Sequence, residues 1–184
     1  MEKLQDKYKK EVTKGLMEKF SYPGTMAVPR MTKVVLNTGI GRLVAGKTGD
    51  DQKKAIEGVL EDMTVIAGQR AALAAAKKSI AGFKLRQGMP VGVRVTLRGK
   101  RMYGFLDNLI HVVLPRSRDF RGLEASSVDK QGNLTIGIKE HVFFPEISPD
   151  KVRNPIGLQI TVSTTAKTYQ EGLELFRRLG FPIK

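Results

Sequence analysis

Apolar and polar residues alternate strictly from Val91 to Arg98. Val91, Val93, Val95 and Leu97 point one way, and Gly92, Arg94, Thr96 and Arg98 the other. A period of two makes a β-strand with one buried and one wet face, the wet face here cationic. The alternation recurs three times. Lys33 to Thr38 puts Val34 and Leu36 on one face and Lys33, Val35 and Asn37 on the other. Asn133 to Phe144 sets Leu134, Ile136, Ile138 and Val142 inward and Asn133, Thr135, Lys139 and His141 outward. Leu158 to Thr165 sets Leu158, Ile160 and Val162 inward and Gln159, Thr161, Ser163 and Thr165 outward.

Between the strands the period changes. Leu4, Tyr8, Val12, Leu16 and Phe20 recur every four residues, with Lys3, Lys7, Lys9, Lys10 and Lys14 on the other sides. They predict an amphipathic helix that stops before Tyr22-Pro23-Gly24. Asp50 or Asp51 can cap a second helix, running to about Ala67, with Ile56, Val59, Leu60, Met63 and Ile66 as its stripe and Gly68 as its end. Ala71 to Ala76 suits a helix by composition and a strand by position. Met102 to Leu114 predicts a third helix, with Phe105, Leu106, Leu109, Ile110 and Val113 inward, ended by Pro115. Thr168 and Glu171 fit a capping box ahead of a last helix. That helix carries Leu173, Phe176 and Leu179 and closes at Gly180, with Pro182 beyond. The pattern does not run βαβαβ, so a doubly wound parallel sheet is not expected. The expectation is an α+β fold in one domain over residues 1–184. An antiparallel sheet carries helices on one face and leaves the other open, and a basic loop protrudes at about residues 77–88.

Charge changes the picture. The 184 residues carry a net +14, placed unevenly. Residues 1–62 hold 12 bases and 9 acids, residues 63–122 hold 12 and 2, and residues 123–184 hold 8 and 7. No Asp or Glu occurs between Asp62 and Asp107, and Lys77 to Arg101 alone holds eight Lys or Arg. Self-repulsion of that density disfavours compactness unless a polyanion neutralises it. Gly82, Gly88 and Pro90 break regular structure, so Lys77 to Gly88 reads as an exposed basic loop feeding a basic sheet face. The chain has no Cys, which removes disulfides, thiolate catalysis and Cys-ligated zinc. Its two histidines, His111 and His141, lie on different elements without a carboxylate pair and read as surface or sheet residues. No apolar run approaches the roughly 18 residues of a membrane helix. The first ten residues, MEKLQDKYKK, lack an apolar signal core, and a soluble, non-secreted protein is expected.

Two chemistries compete. Gly41 to Thr48, GRLVAGKT, satisfies the phosphate-loop pattern G-x-x-x-x-G-K-[ST] and stands between a strand and a helix. Against it, Asp50 and Asp51 stand where a helix N-terminus would receive phosphate. No later strand of aliphatics ends in a magnesium-binding Asp either. Acid–base pairs are absent from the basic region. Asp119, between Arg118 and Arg121, suits a loop-fixing ion pair, and no Ser, His and Asp set suggests a nucleophile. RNA fits better. Arg94 and Arg98 stand about 13–14 Å apart along one strand face, a reach of two or three phosphates. Thr96, Asn37, Thr161 and Ser163 offer neutral donors for sugar hydroxyls or base edges. Exposed aromatics are few on that face, so shape and backbone recognition is expected to outweigh stacking there.

KKSIAGFKLRQGMPVGVRVTLRGKRMY, PRSRDFRGL, FPEI and TTAKT, in this order, closely resemble the bacterial-type large-subunit ribosomal protein five, the 5S rRNA-binding family. VPRMTKVVLNTGIG and the IAGQ before the basic stretch match too, so the resemblance spans essentially the whole chain. It implies a non-enzymatic structural protein without a cofactor. Such a protein sits in the central protuberance of a cytoplasmic or organellar ribosome and has no membrane contact. It implies 5S rRNA and large-subunit rRNA on the sheet's open face, with the family's Asn, Gln and Thr matching Asn37, Gln69 and Thr96. Lys33, Arg94 and Arg98 join that rRNA set. The basic loop would meet P-site tRNA through Lys77, Lys78, Ser79, Lys84 and Arg86. Arg116, Arg118 and Arg121 would serve either rRNA or a bridge to small-subunit ribosomal protein thirteen. The chain departs from the family pattern at Ala71, Ala74, Val128 and Gln159. It is also about six residues longer than usual between Gly41 and Gly68, where the GKT match falls.

Overall fold

The computed structural model describes residues 3–44, 49–83, 85–118, 120–149, 152 and 155–184. Five strands form one antiparallel sheet: β1 Met31–Gly39, β2 Ala72–Ala75, β3 Pro90–Leu97, β4 Leu134–Ile138 and β5 Leu158–Thr164, in the order β2-β3-β1-β5-β4. With its helices this is the expected α+β fold. Val34 and Leu36, Val93, Val95 and Leu97, Leu134, Ile136 and Ile138, and Leu158, Ile160 and Val162 are all buried. Their alternates Lys33, Asn37, Arg94, Thr96, Thr135, Gln159, Thr161 and Ser163 are exposed or half-buried. The chain divides into two compact units. One comprises Met1–Val35, Leu97–Ile136 and Ile160–Lys184, and the other Leu36–Thr96 and Gly137–Gln159.

In the first unit the N-terminal helix covers residues 4–20, as Leu4–Lys7, a π turn at Tyr8–Val12, and Thr13–Phe20. The π turn follows from the spacing of the apolar residues. On an ideal α-helix a four-residue repeat drifts about 40° per step, so the stripe would wind away from the core. The wider turn takes back part of that drift, and Leu4, Val12 and Leu16 all stay buried. Thr13 Oγ1 donates to the Tyr8 carbonyl at 2.8 Å across the widened turn.

A second helix of this unit spans residues 99–116, with a π turn at Leu109–Val113. It begins at Gly99, ahead of the expected Met102, and passes Pro115 to end at Arg116. The π turn has already broken the regular ladder there, so the missing N–H of Pro115 removes no α-helical bond.

The C-terminal helix, Tyr169–Leu179, starts on the expected capping box and ends on Gly180 in the left-handed region (φ 98°). Gly172, Leu175, Phe176 and Leu179 are its buried residues, whereas Leu173, expected inward, is half-buried. A Cβ on Gly172 would overlap the Gly132 backbone, so two glycines set how closely this helix approaches the 129–133 turn. Lys19 Nζ donates to Glu174 at 2.7 Å, tying the N-terminal helix to the C-terminal one, and Arg178 Nε donates to the same carboxylate at 2.7 Å from within the C-terminal helix.

In the second unit a helix spans Gly49–Ala67. Asp50 and Asp51 lie inside its first turn, beyond any capping position, where the helix dipole favours them. Val59, Met63 and Ile66 are buried, and Gly68 at φ 60° ends it. The ambiguous 71–76 segment resolves as β2, paired antiparallel to β3 with Ala72 opposite Arg94 and Leu73 opposite Val93. The strand order leaves β2 at the edge of the sheet.

The alternation over 133–144 does not continue as the expected strand: β4 stops at Ile138, and His141–Phe143 is a 3-10 turn. That turn reverses the facing. His141 is fully buried and Val142 only half-buried. The His141 backbone N–H donates to the Ile156 carbonyl at 3.0 Å, and its Nδ1 accepts the Ile156 N–H at 3.2 Å. Its Nε2 lies 3.3 Å from Asp62 Oδ2, within ion-pair range but off hydrogen-bond geometry.

The glycine packing sets an opposed pair of stability changes. Gly172→Ala should destabilise the fold by roughly 1–3 kcal/mol, because backbone must move. Gly58→Ala, in open space on the exposed side of a helix, should stabilise it by about 0.5–1 kcal/mol. Urea denaturation of both variants checks the pair. Glu174 makes stability depend on pH. The hydrogen bond from Lys19 holds its carboxyl below the ordinary glutamate range against partial burial, with Arg178 adding to it. A carboxyl lowered on folding stabilises above its unfolded value, and the contribution disappears as pH falls through the folded value. Glu174→Gln should therefore lower the melting temperature at neutral pH, and the gap to the parent should close below about pH 4. Thermal melts across pH test this.

Candidate nucleic-acid interface

The polar cluster of the second unit is built by three neighbouring pieces of chain. β1 ends with Asn37 exposed, while its neighbour Thr38 is buried and donates its hydroxyl to the Gly157 carbonyl at 2.8 Å. β3 presents Arg94 exposed and Thr96 half-buried on its solvent side. Gln69 comes from the turn after the 49–67 helix. Its Nε2 donates to the Thr96 carbonyl at 3.3 Å, so Gln69 and Thr96 are brought together directly. Thr64 fixes that turn, accepting the Ala71 N–H at 3.1 Å while donating to the Leu60 carbonyl at 2.6 Å.

Arg94 is exposed, and the small residue Ala72 stands opposite it in the β2–β3 pair. Gly92 is buried where the Thr38 carbonyl would stand 3.0 Å from a Cβ. Sequence alternation assigned Gly92 to the wet face. The close approach of the β1 backbone covers it.

Beyond β2 the chain rises into an arm over residues 76–89. Ala76 and Met89 close its root, Ala76 N–H donating to Met89 O at 2.8 Å and Gly88 N–H to Ala76 O at 2.9 Å. Ile80 and Leu85 pair again higher up, and Ala81–Phe83 forms a 3-10 turn between them. Lys77, Lys78, Ser79 and Arg86 are exposed along the arm, and Lys84 lies outside the described residues. Ser79 also has a structural task, its Oγ accepting the Gln87 N–H at 2.9 Å. Ala76, Lys77, Lys78, Ile80, Leu85 and Val91 line a shallow groove of about 410 Å³ at the root. Lys77, Lys78, Arg86 and Arg94 make no ion pair with any described residue.

In the first unit Lys33 is half-buried on β1, and Arg98 is exposed just before the 99–116 helix. Arg116, Arg118 and Arg121 are exposed around that helix's far end. Asp119 lies outside the described residues, so the ion pair expected of it does too. What sequence reasoning missed on the arm is Phe83, 75% exposed at the tip. No periodicity marks it, because the arm has none.

The phosphate-loop reading finds no support in the described part of its motif. Gly41–Val44 is a helical turn, Val44 is buried, and its N–H is spent on the Ile40 carbonyl at 3.0 Å. Ala45 to Thr48 lie outside the described residues. Among the described residues no group of three His, Asp or Glu could hold a metal ion, and no helix is long and apolar enough to cross a membrane.

Cations that pair with no described residue, hydroxyl and amide groups beside them, and a basic arm on an α+β fold are the features expected of a nucleic-acid-binding protein. Residues 25–86 match the family Ribosomal protein L5, and residues 90–183 match the C-terminus of the same ribosomal family. The chain belongs to the ribosomal protein L5 family, a structural, non-enzymatic component of the large ribosomal subunit that serves translation.

If the GKT match has no role, millimolar Mg-ATP should leave the melting temperature of the chain unmoved. Differential scanning fluorimetry reads this directly, and a rise of several degrees would reinstate the motif.

Proposed function

We propose that this chain clasps 5S rRNA, within the large subunit, against the solvent side of its sheet. Asn37, Gln69, Arg94 and Thr96 form the contact in the second unit, and Lys33 and Arg98 contribute from the first. The observation that carries the reading is Arg94 beside Thr96: an exposed cation that pairs with no described acid, next to a hydroxyl, with the small Ala72 opposite it on β2. Phosphates take the cation, and sugar hydroxyls or base edges take the Thr and Asn. The bond from Gln69 Nε2 to the Thr96 backbone carbonyl holds the Gln69 side chain in one arrangement before RNA arrives, which reduces its ordering cost on binding.

The exposed arm carries the second contact. Lys77, Lys78, Ser79, Lys84 and Arg86 meet the P-site tRNA, and the arm acts as a basic finger protruding from a single ribosomal-protein domain. Arg116, Arg118 and Arg121 serve either large-subunit rRNA or a bridge to small-subunit ribosomal protein thirteen. The charge gathered on residues 63–122, against nearly balanced flanks, supports both nucleic-acid contacts. The location that goes with this reading is the ribosome.

Filter binding of the full chain to 5S rRNA tests the proposal. Affinity should fall by about 0.7–0.9 log units per log unit of salt for each phosphate neutralised. Arg94→Ala should reduce that slope by about one phosphate's worth. Thr96→Ala should weaken binding with an unchanged slope and unchanged circular dichroism. A flat salt dependence, or equal affinity for an unrelated RNA, would refute the assignment.

A further inference from the structure

The arm carries an apolar side chain that its own fold leaves out. Phe83 is 75% exposed, and Ile80, three residues earlier, is 46% exposed. The ring is not on a loose loop. Ile80 N–H donates to Leu85 O at 3.0 Å, Leu85 N–H to Ile80 O at 3.1 Å, and Phe83 N–H to Ile80 O at 3.3 Å. The tip is therefore a closed turn that fixes where the Phe83 side chain departs. Among the described residues, nothing beyond its chain neighbours lies within 4 Å of where a Cβ on Gly82 would stand, so the tip is open at that position.

A single exposed aromatic needs no explanation on most surfaces. Its company decides here. Lys77, Lys78 and Arg86 are exposed on the same arm, and no acid occurs in sequence between Asp62 and Asp107. A protein partner would need a patch of several hundred Å² on this side alone. An RNA base needs one π-face to stack on and cations for its flanking phosphates.

We infer that Phe83 stacks on an exposed nucleobase of the RNA that the arm approaches, so the arm reads an unstacked base as well as phosphate charge. This rests on the proposed contact between arm and tRNA. It departs from the expectation for the sheet face, where aromatics are scarce and stacking is secondary.

The chain has no Trp, so Phe83→Trp installs a sole indole reporter at the tip. The full-length variant is titrated with a tRNA transcript, with single-stranded oligoadenylate and with inorganic polyphosphate. RNA binding is followed separately by anisotropy of labelled RNA. The indole should be quenched by tRNA and by oligoadenylate, and left unquenched by polyphosphate, which has charge but no base. Phe83→Ala should weaken tRNA binding roughly 5- to 150-fold with the salt slope unchanged. Phe83→Tyr should retain affinity, and Arg86→Ala should lower the slope. Quenching by oligoadenylate with no tRNA binding would sustain the stacking and remove the tRNA reading. RNA bound without quenching, with Phe83→Ala unaffected, would overturn the inference. So would quenching by neither RNA, or a loss of binding confined to protein partners.

Discussion

The structure depends on a sorting rule enforced by strand geometry. Alternate side chains of β1, β3, β4 and β5 must leave the sheet on opposite sides, and one set is predominantly aliphatic while the other is predominantly polar. Burying Val93, Val95 and Leu97 compels Arg94 and Thr96 into solvent. Each buried Val, Leu or Ile contributes roughly 1.5–3 kcal/mol, so the register cannot slip by one residue without forfeiting several such terms and burying arginine instead. The core therefore fixes the position of the cations. Because the neighbouring sequence supplies no acids, Arg94 makes no ion pair with any described residue. The proposed binding surface is in this sense a by-product of the hydrophobic core.

Legibility followed periodicity. The strand at Val91–Arg98 and the capping box at Thr168 and Glu171 could be read directly, because the residue pattern and the local physics coincide. The 133–144 segment could not. Its apolar spacing suits a strand, and only the tertiary bonds from His141 to Ile156 turn the chain into a 3-10 corner. Likewise the Gln69–Thr96 bond joins residues 27 apart in sequence, a distance over which no local pattern speaks. The helix past Pro115 and the π turns are similar cases. A residue-count rule sees the proline, whereas the packed helix has already loosened its ladder before reaching it.

The two basic regions of the second unit differ in how they are held. Arg94 stands on a strand paired on both sides, so its Cα is fixed by the sheet ladder. The arm is tied at its root and again at Ile80 and Leu85, and is exposed almost throughout. The first suits a permanent partner whose shape is fixed. The second suits a partner that comes and goes, because a tethered finger can lose its contact without disturbing the core.

The position of β2 at the sheet margin has a consequence for the chain before assembly. Its residues are Ala72, Leu73, Ala74 and Ala75, a neutral strand at the edge of the sheet. Such a rim invites another copy to add on, and what stands guard is the charge at its two ends, Arg70 before it and Lys77 and Lys78 after it. If the arm meets RNA as proposed, Lys77 and Lys78 serve both mutual repulsion between newly made molecules and attraction to a polyanion. Neutralising those two lysines to loosen the RNA contact would then also strip part of the protection at the rim.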